Sequence, residues 1–231
     1  MSFHDLSNLT IGTPEAWPQL NISLSKDPNV IPTVQGGALW GDSLNKKFYL
    51  FGGALLQGLP SNFHLFNYEI PDDKWDDLGP PSATVPLNIT SYGAGVGVSE
   101  TGEGFYYGGW ISNTSMQGWT QPPAMTSNLY RYEYDTNKFT PANPPTDQLP
   151  RAEGAMVWIP AGDTGLLVYF GGLVDPYGNG TQSPQPMNKI LVYDPSENTW
   201  YTQTAVGVIP QTRRRFCADV AWAPDQSSYN M

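Results

Sequence analysis

Phe105-Tyr106-Tyr107-Gly108-Gly109 decides the reading, because it returns with small changes as Tyr49-Leu50-Phe51-Gly52-Gly53 and as Val168-Tyr169-Phe170-Gly171-Gly172. Each copy is followed by a second phrase: Tyr68-Glu69 with Trp75, Tyr132-Glu133 with Phe139, and Tyr193-Asp194 with Trp200. In all three the second aromatic stands seven residues after the tyrosine. A unit that keeps its anchors while its loops change length is one supersecondary element used repeatedly, and such units bury their apolar faces by stacking on their neighbours.

Small residues open each unit before an apolar stretch: Gly36-Gly37-Ala38-Leu39-Trp40, Tyr92-Gly93-Ala94-Gly95-Val96 and Gly154-Ala155-Met156-Val157-Trp158. These stretches read as first strands. Turn-rich tracts such as Ser99-Glu100-Thr101-Gly102-Glu103-Gly104 follow them and supply the backbone angles that a hairpin demands. The aromatic run ending in Gly-Gly is the second strand. A variable loop leads to a third strand at the tyrosine, and a tight turn leads to a fourth at the Trp or Phe. Four antiparallel strands in roughly 60 residues is the pattern of a propeller blade. No stretch shows a helical period with caps. Glycine pairs mark places where a Cβ would strike adjacent backbone, and the fourth-strand aromatics fill the wedge between blades.

Aromatic-Gly-Gly, then Tyr-Asp/Glu, then Trp seven after the Tyr resembles the kelch repeat, over about residues 35–231. The stretch from Arg215-Phe216-Cys217 to Ser228-Tyr229-Asn230 is similar to fungal kelch proteins that are secreted or membrane-tethered. The resemblance implies an all-β, kelch-type β-propeller with about three complete four-stranded blades and two partial ones. The expected units are 1–34 (the last strands of a preceding blade and a linker), 35–78, 79–140, 141–202, and 203–231 (a linker and the first strand of a further blade). Members of the family usually close with six or seven blades, so the chain reads as part of a propeller; a rival reading joins the two halves into one composite fourth blade. Phe139 stands where the family has Trp, so its wedge is expected to be the weaker one.

Composition narrows the function classes. Charged residues make up 14% of the chain, and 24 Gly and 22 Pro punctuate it, as many short strands and turns require. A net charge of −10 argues against binding nucleic acid or anionic membrane, and no apolar stretch approaches the length of a membrane span. Five glycosylation sequons, at Asn8, Asn21, Asn88, Asn113 and Asn179, exceed the roughly two that chance supplies, which points to an extracellular or cell-surface glycoprotein. Met1-Ser2-Phe3-His4-Asp5 starts no signal peptide, so a cytoplasmic location is the alternative. Cys217 reads as a buried small hydrophobe in a first strand.

The chemistry-bearing residues are few. His4 and His64 are the whole histidine supply, which leaves no expected catalytic, cofactor or metal site. Galactose oxidase, with a related propeller, holds copper by two His and two Tyr, and no matching arrangement is found here. A fragment of a carbohydrate-active oxidase-like enzyme and an intracellular scaffold or adaptor remain the alternatives. Asp72, Asp73, Asp76 and Asp77 read as a solvated outer turn and edge. Arg151 and Arg213-Arg214-Arg215 enter equivalent first strands and read as partners of nearby carboxylates. Loops joining second to third strands share one face with the links between blades, and function belongs there. On that face Trp110, Met116, Trp119, Asp175 and Tyr177 are the candidate binding residues, for a protein or glycan ligand.

Overall fold

A computed structural model of the protein describes Ser2–Phe3, Ile22–Ser23 and residues 30–231. Three four-stranded antiparallel sheets run as meanders in chain order. The first contains β1 (Ala38–Asp42), β2 (Lys47–Phe51), β3 (Phe66–Glu69) and β4 (Lys74–Asp77). The second contains β5 (Ala94–Val98), β6 (Glu103–Tyr107), β7 (Leu129–Glu133) and β8 (Lys138–Ala142), and the third β9 (Ala155–Ile159), β10 (Leu166–Phe170), β11 (Lys189–Asp194) and β12 (Thr199–Thr204). Ser2–Phe3 pairs with Ile22–Ser23, and at the other end Ala221–Trp222 pairs with Tyr229–Asn230. The rest of the partial blade expected before residue 30 lies outside the described residues.

The three units share one register at their anchors. Tyr68 faces Trp75, Tyr132 faces Phe139 and Tyr193 faces Trp200 across the last two strands of each sheet. The invariant spacing has a local cause. Five residues after each tyrosine stands Asp73, Asn137 or Asn198, at φ 48°, 47° and 51°, a left-handed conformation that Asx residues tolerate better than most. Each accepts a hydrogen bond from its tyrosine hydroxyl. The asparagines also hold the link arriving from the preceding sheet: Asn137 Nδ2 donates to the Leu78 carbonyl, while Asn143 Nδ2 donates to that of Asn198. That hold lets Ser82–Ala83 pair in parallel with β8 as an outer fifth strand.

The Gly-Gly phrase closes the inner end. A Cβ on Gly52, at φ 67°, would stand 2.8 Å from the Thr90 carbonyl oxygen, and one on Gly108 would press closer on that of Arg151. The second glycine of each pair donates its N–H to the link of the following unit, Gly53 to Thr90, Gly109 to Arg151 and Gly172 to Arg213, at 2.8–2.9 Å. Two residues further along, Tyr92 N–H donates to the Gly36 carbonyl, Glu153 to Tyr92 and Arg215 to Glu153. All four of these residues have positive φ, so one backbone ladder runs from unit to unit where the first strands converge.

Two aromatic seams hold the sheets together. Between the first and second, Trp40 stacks on Phe51 and Tyr132 at 5.0 and 5.5 Å, and Phe139 packs within the same cluster. Between the second and third, Trp200 packs on Tyr107 and Tyr193 at 5.0 and 5.1 Å. Phe139 is fully buried, more so than Trp200 or the half-buried Trp75, so the expected weak wedge is not weak. Trp40, arriving from the opposite sheet, supplies the missing volume. Cys217 also departs from expectation: it is exposed and lies outside any strand, because pairing in its segment begins only at Ala221.

Candidate functional site

The register puts the second-to-third loops and the inter-sheet links at one end of the array, with the first-to-second turns at the other. Bridges Ser91 to Trp110 and Thr126 to Arg151 join link to loop directly. The five candidate residues all lie at this end, but they do different work. Trp110 is half-buried on Met125, Ala152 and Leu173, and its Nε1 donates to Glu153 at 3.2 Å. Asp175 is buried and accepts from the backbone N–H groups of Tyr177, Asn179 and Gly180, so it shapes its loop and does not face a ligand. Trp119 is half-buried and donates to the Pro122 carbonyl. Met116 is half-buried in the wall of a cavity. Tyr177, 75% exposed, is the one large aromatic of the five open to solvent. The expectation of a field of exposed aromatics is corrected to one exposed tyrosine, on the third sheet's loop, and a separate cavity at the first and second sheets.

The cavity, of about 660 Å³, is assembled from four separate segments. Val30, Pro32 and Val34 arrive from the leading link. Gly52 to Leu55 and Pro60 to His64 come from the first sheet's long loop, with Asp77 and Pro80 to Ile89 from its outgoing link and Ser115 to Gln117 from the loop of the second sheet. A backbone bond from Leu55 N–H to the Thr114 carbonyl ties the two loops together. The floor is apolar, made by Leu50, Phe66, Phe63, Leu87 and Ile89. A second hollow of about 510 Å³ adjoins it and shares Phe63, Pro80 and Leu87.

His64 is the polar centre of the cavity wall. Its Nδ1 lies 2.9 and 3.0 Å from the two Asp77 oxygens, and Asp77 also accepts the Gly79 N–H at 2.7 Å. Burial would raise the Asp77 carboxyl, but the bonds from His64 and Gly79 outweigh it and hold it below the ordinary value. The two carboxylate oxygens engage Nδ1, so Nε2 is the ring nitrogen left for another partner. Neither His64 nor Phe63 was singled out from sequence. The only signal was the tract Pro60-Ser61-Asn62-Phe63-His64, a loop too apolar at its end to be a plain connector.

Three of the four arginines read as structural, Arg151, Arg214 and Arg215, meet carboxylates. Arg151 is fully buried; it donates to Asp147 Oδ1 and Oδ2 at 2.9 and 2.6 Å, to Gln185 Oε1 at 2.6 Å and to the Tyr107 hydroxyl at 3.3 Å. Burial opposes ionisation of both partners, yet the bonds between them hold Asp147 far below its ordinary value and Arg151 above its own. Arg215 donates to Glu153 at 2.7 Å while its guanidinium covers the Tyr92 ring at 4.3 Å, and Arg214 lies 3.4 Å from the same carboxylate. Asp72, Asp73 and Asp77 are exposed and Asp76 half-buried at the outer edge. Among the described residues no group of three His, Cys, Asp or Glu is arranged to hold a metal ion, and no helix is long and apolar enough to cross a membrane.

No family model matches the chain. Among curated proteins it is similar to a kelch repeat-containing protein of Arthroderma benhamiae, with 27% identity over an alignment that covers 95% of this chain. The chain spans 38% of that relative's length. Together with the three meander sheets and their matched anchors, the similarity makes this an all-β, kelch-type propeller fold.

Proposed function

We propose that this chain is a non-catalytic interaction module that binds a protein or glycan partner through the loop end of its blades, outside the cell or at its surface. The observation that carries the reading is the cavity built by four segments at that end, with the exposed Tyr177 and the half-buried Trp119 on other parts of the same loop end. Loops held by a rigid sheet scaffold are where such folds place recognition. The fold and the kelch-repeat relative favour an interaction role over catalysis. Nucleic acid is disfavoured as a partner: the net charge is −10, and Arg151, Arg214 and Arg215 are engaged by carboxylates. The extracellular placement rests on the sequons, of which Asn113 and Asn179 stand exposed on loops. One observation favours the cytoplasmic alternative, the exposed unpaired Cys217, since a free surface thiol fits a reducing compartment.

Photo-crosslinking tests the reading. A crosslinking amino acid replaces Asn62 or Tyr177 at the loop end, or Glu100 or Asp163 at the turn end, in chain expressed in its native host. Specific adducts from the first pair alone support it, and adducts from the turn end alone overturn it. The glycosylation state of the same material decides the compartment.

A further inference from the structure

We propose that the paired hollows across Phe63 form a binding groove for a neutral carbohydrate chain, with His64 Nε2 hydrogen-bonded to a sugar hydroxyl. The inference deepens the loop-end reading and rests on it. Volume comes first. About 660 Å³ adjoining about 510 Å³ over a shared Phe63, Pro80 and Leu87 gives more room than one sugar ring needs. Phe63 is the aromatic ring common to both hollows. Its ring is fixed from behind by an edge contact with Phe51 at 5.4 Å, so it is a held platform and not a loose side chain.

Charge comes second. Among the described residues no Lys or Arg lines either hollow, and the one carboxylate, Asp77, is already matched by His64 and the Gly79 N–H. Among those residues an anionic ligand would find no unpaired cation, and a cationic one would compete with an imidazole already in place. The remaining polar lining is Ser61, Asn62, Ser115 and Gln117 in the first hollow and Thr84 in the second, groups that both donate and accept. Vicinal hydroxyls ask for that mixture, and the apolar faces of pyranose rings ask for Phe63, Phe66 and Leu87. The Nδ1–Asp77 bond holds the His64 ring in place, so little orientation is lost when Nε2 meets a hydroxyl, which can donate or accept.

Calorimetric titration of the full chain with neutral hexasaccharides of glucose, mannose and N-acetylglucosamine tests it, beside a library of unmodified peptides. Saturable binding of at least one hexasaccharide is expected, weakened at least tenfold by Phe63→Ala and by His64→Ala. Because Phe63→Ala also touches the core, Asn62→Ala on the exposed rim is the second variant, with a loss of several-fold and unchanged thermal unfolding. No saturation by any of the three sugars, or saturation that all three variants leave unchanged, overturns the assignment. Peptide binding without sugar binding overturns the groove's ligand class and leaves the loop-end reading standing, so the two failures are told apart.

Discussion

The two aromatic seams solve one packing problem from opposite sides. Register makes Trp40 of β1 equivalent to Val96 of β5, Gly104 of β6 equivalent to Leu167 of β10, and Phe139 of β8 equivalent to Trp200 of β12. The first seam therefore holds Trp, Gly and Phe where the second holds Val, Leu and Trp. Gly104 is needed because a Cβ there would run into the Trp40 ring. Each seam has one tryptophan whose indole N–H is satisfied, Trp40 by the Phe105 carbonyl at 3.1 Å and Trp200 by that of Asn143 at 2.7 Å. What the repeat conserves is filled volume between sheets. The strand that delivers the large ring is free to change, as expected of interiors packed like organic crystals.

The largest expected effect comes from emptying the first seam. Trp40→Ala should cost about 3–5 kcal/mol, the range for truncating a fully buried large aromatic. Gly104→Leu alone should overpack against the indole and cost about 1–3 kcal/mol or more. If the seams are equivalent, the triple exchange Trp40→Val, Gly104→Leu and Phe139→Trp makes the first resemble the second, and urea unfolding should show it losing far less than the sum of its single changes. A triple variant as unstable as that sum would show that the two solutions are not interchangeable.

The same contrast explains what the sequence made legible. Tyr68, Tyr132 and Tyr193 and the glycine pairs were readable because their constraints are local: a hairpin fixes the sevenfold spacing, and a positive φ with backbone overhead excludes a side chain. Phe139 was misread because its partner Trp40 lies about 100 residues earlier in the chain, where only folding brings them together. Asp175 looked like a ligand-facing carboxylate for a related reason, since its three backbone donors appear only once the loop has closed. The cavity hid for the same cause at larger scale: its four walls come from four separate stretches of the chain.

A second difference between the seams lies at the link. Thr90 and Arg151 occupy equivalent positions, each accepting the glycine N–H of the preceding unit, but only Arg151 brings a buried charge. Arg151→Met should cost about 3 kcal/mol or more, because it leaves Asp147 short of its main partner and strands Gln185 and the Tyr107 hydroxyl. The pH dependence follows from the Asp147 carboxyl being held below its unfolded value of about 3.9. A depressed acid contributes stability that is fully present above the unfolded value and is lost as pH falls through the folded one. Acid unfolding below about pH 4 should thus be steeper in the parent than in Arg151→Met, with Asp147 moved back toward the unfolded carboxylate value. Identical acid limbs in circular dichroism would remove this pair from the account.

Thr90, the uncharged counterpart, carries the smallest predicted effect and joins stability to modification. It is the third residue of the Asn88 sequon, yet it is buried, and its Oγ1 donates to the Gly108 carbonyl at 2.8 Å. Asn88 is itself half-buried, with its backbone N–H on the Tyr130 hydroxyl at 3.0 Å. Asn113 and Asn179 stand exposed, and Asn179 already forms an Asx turn with the Thr181 N–H at 3.0 Å. The sequons therefore separate: in a secreting eukaryotic host, peptide mapping should find Asn113 and Asn179 modified and Asn88 sparsely so, its acceptor sequence having folded into the seam. Thr90→Ala and Asn88→Gln both delete that sequon, but only the first breaks a buried hydrogen bond, so only the first should lose about 1 kcal/mol. Equal stability of the two variants, or full occupancy at Asn88 in folded protein, would mean that the first seam opens at Thr90 far more readily than the second does at Arg151.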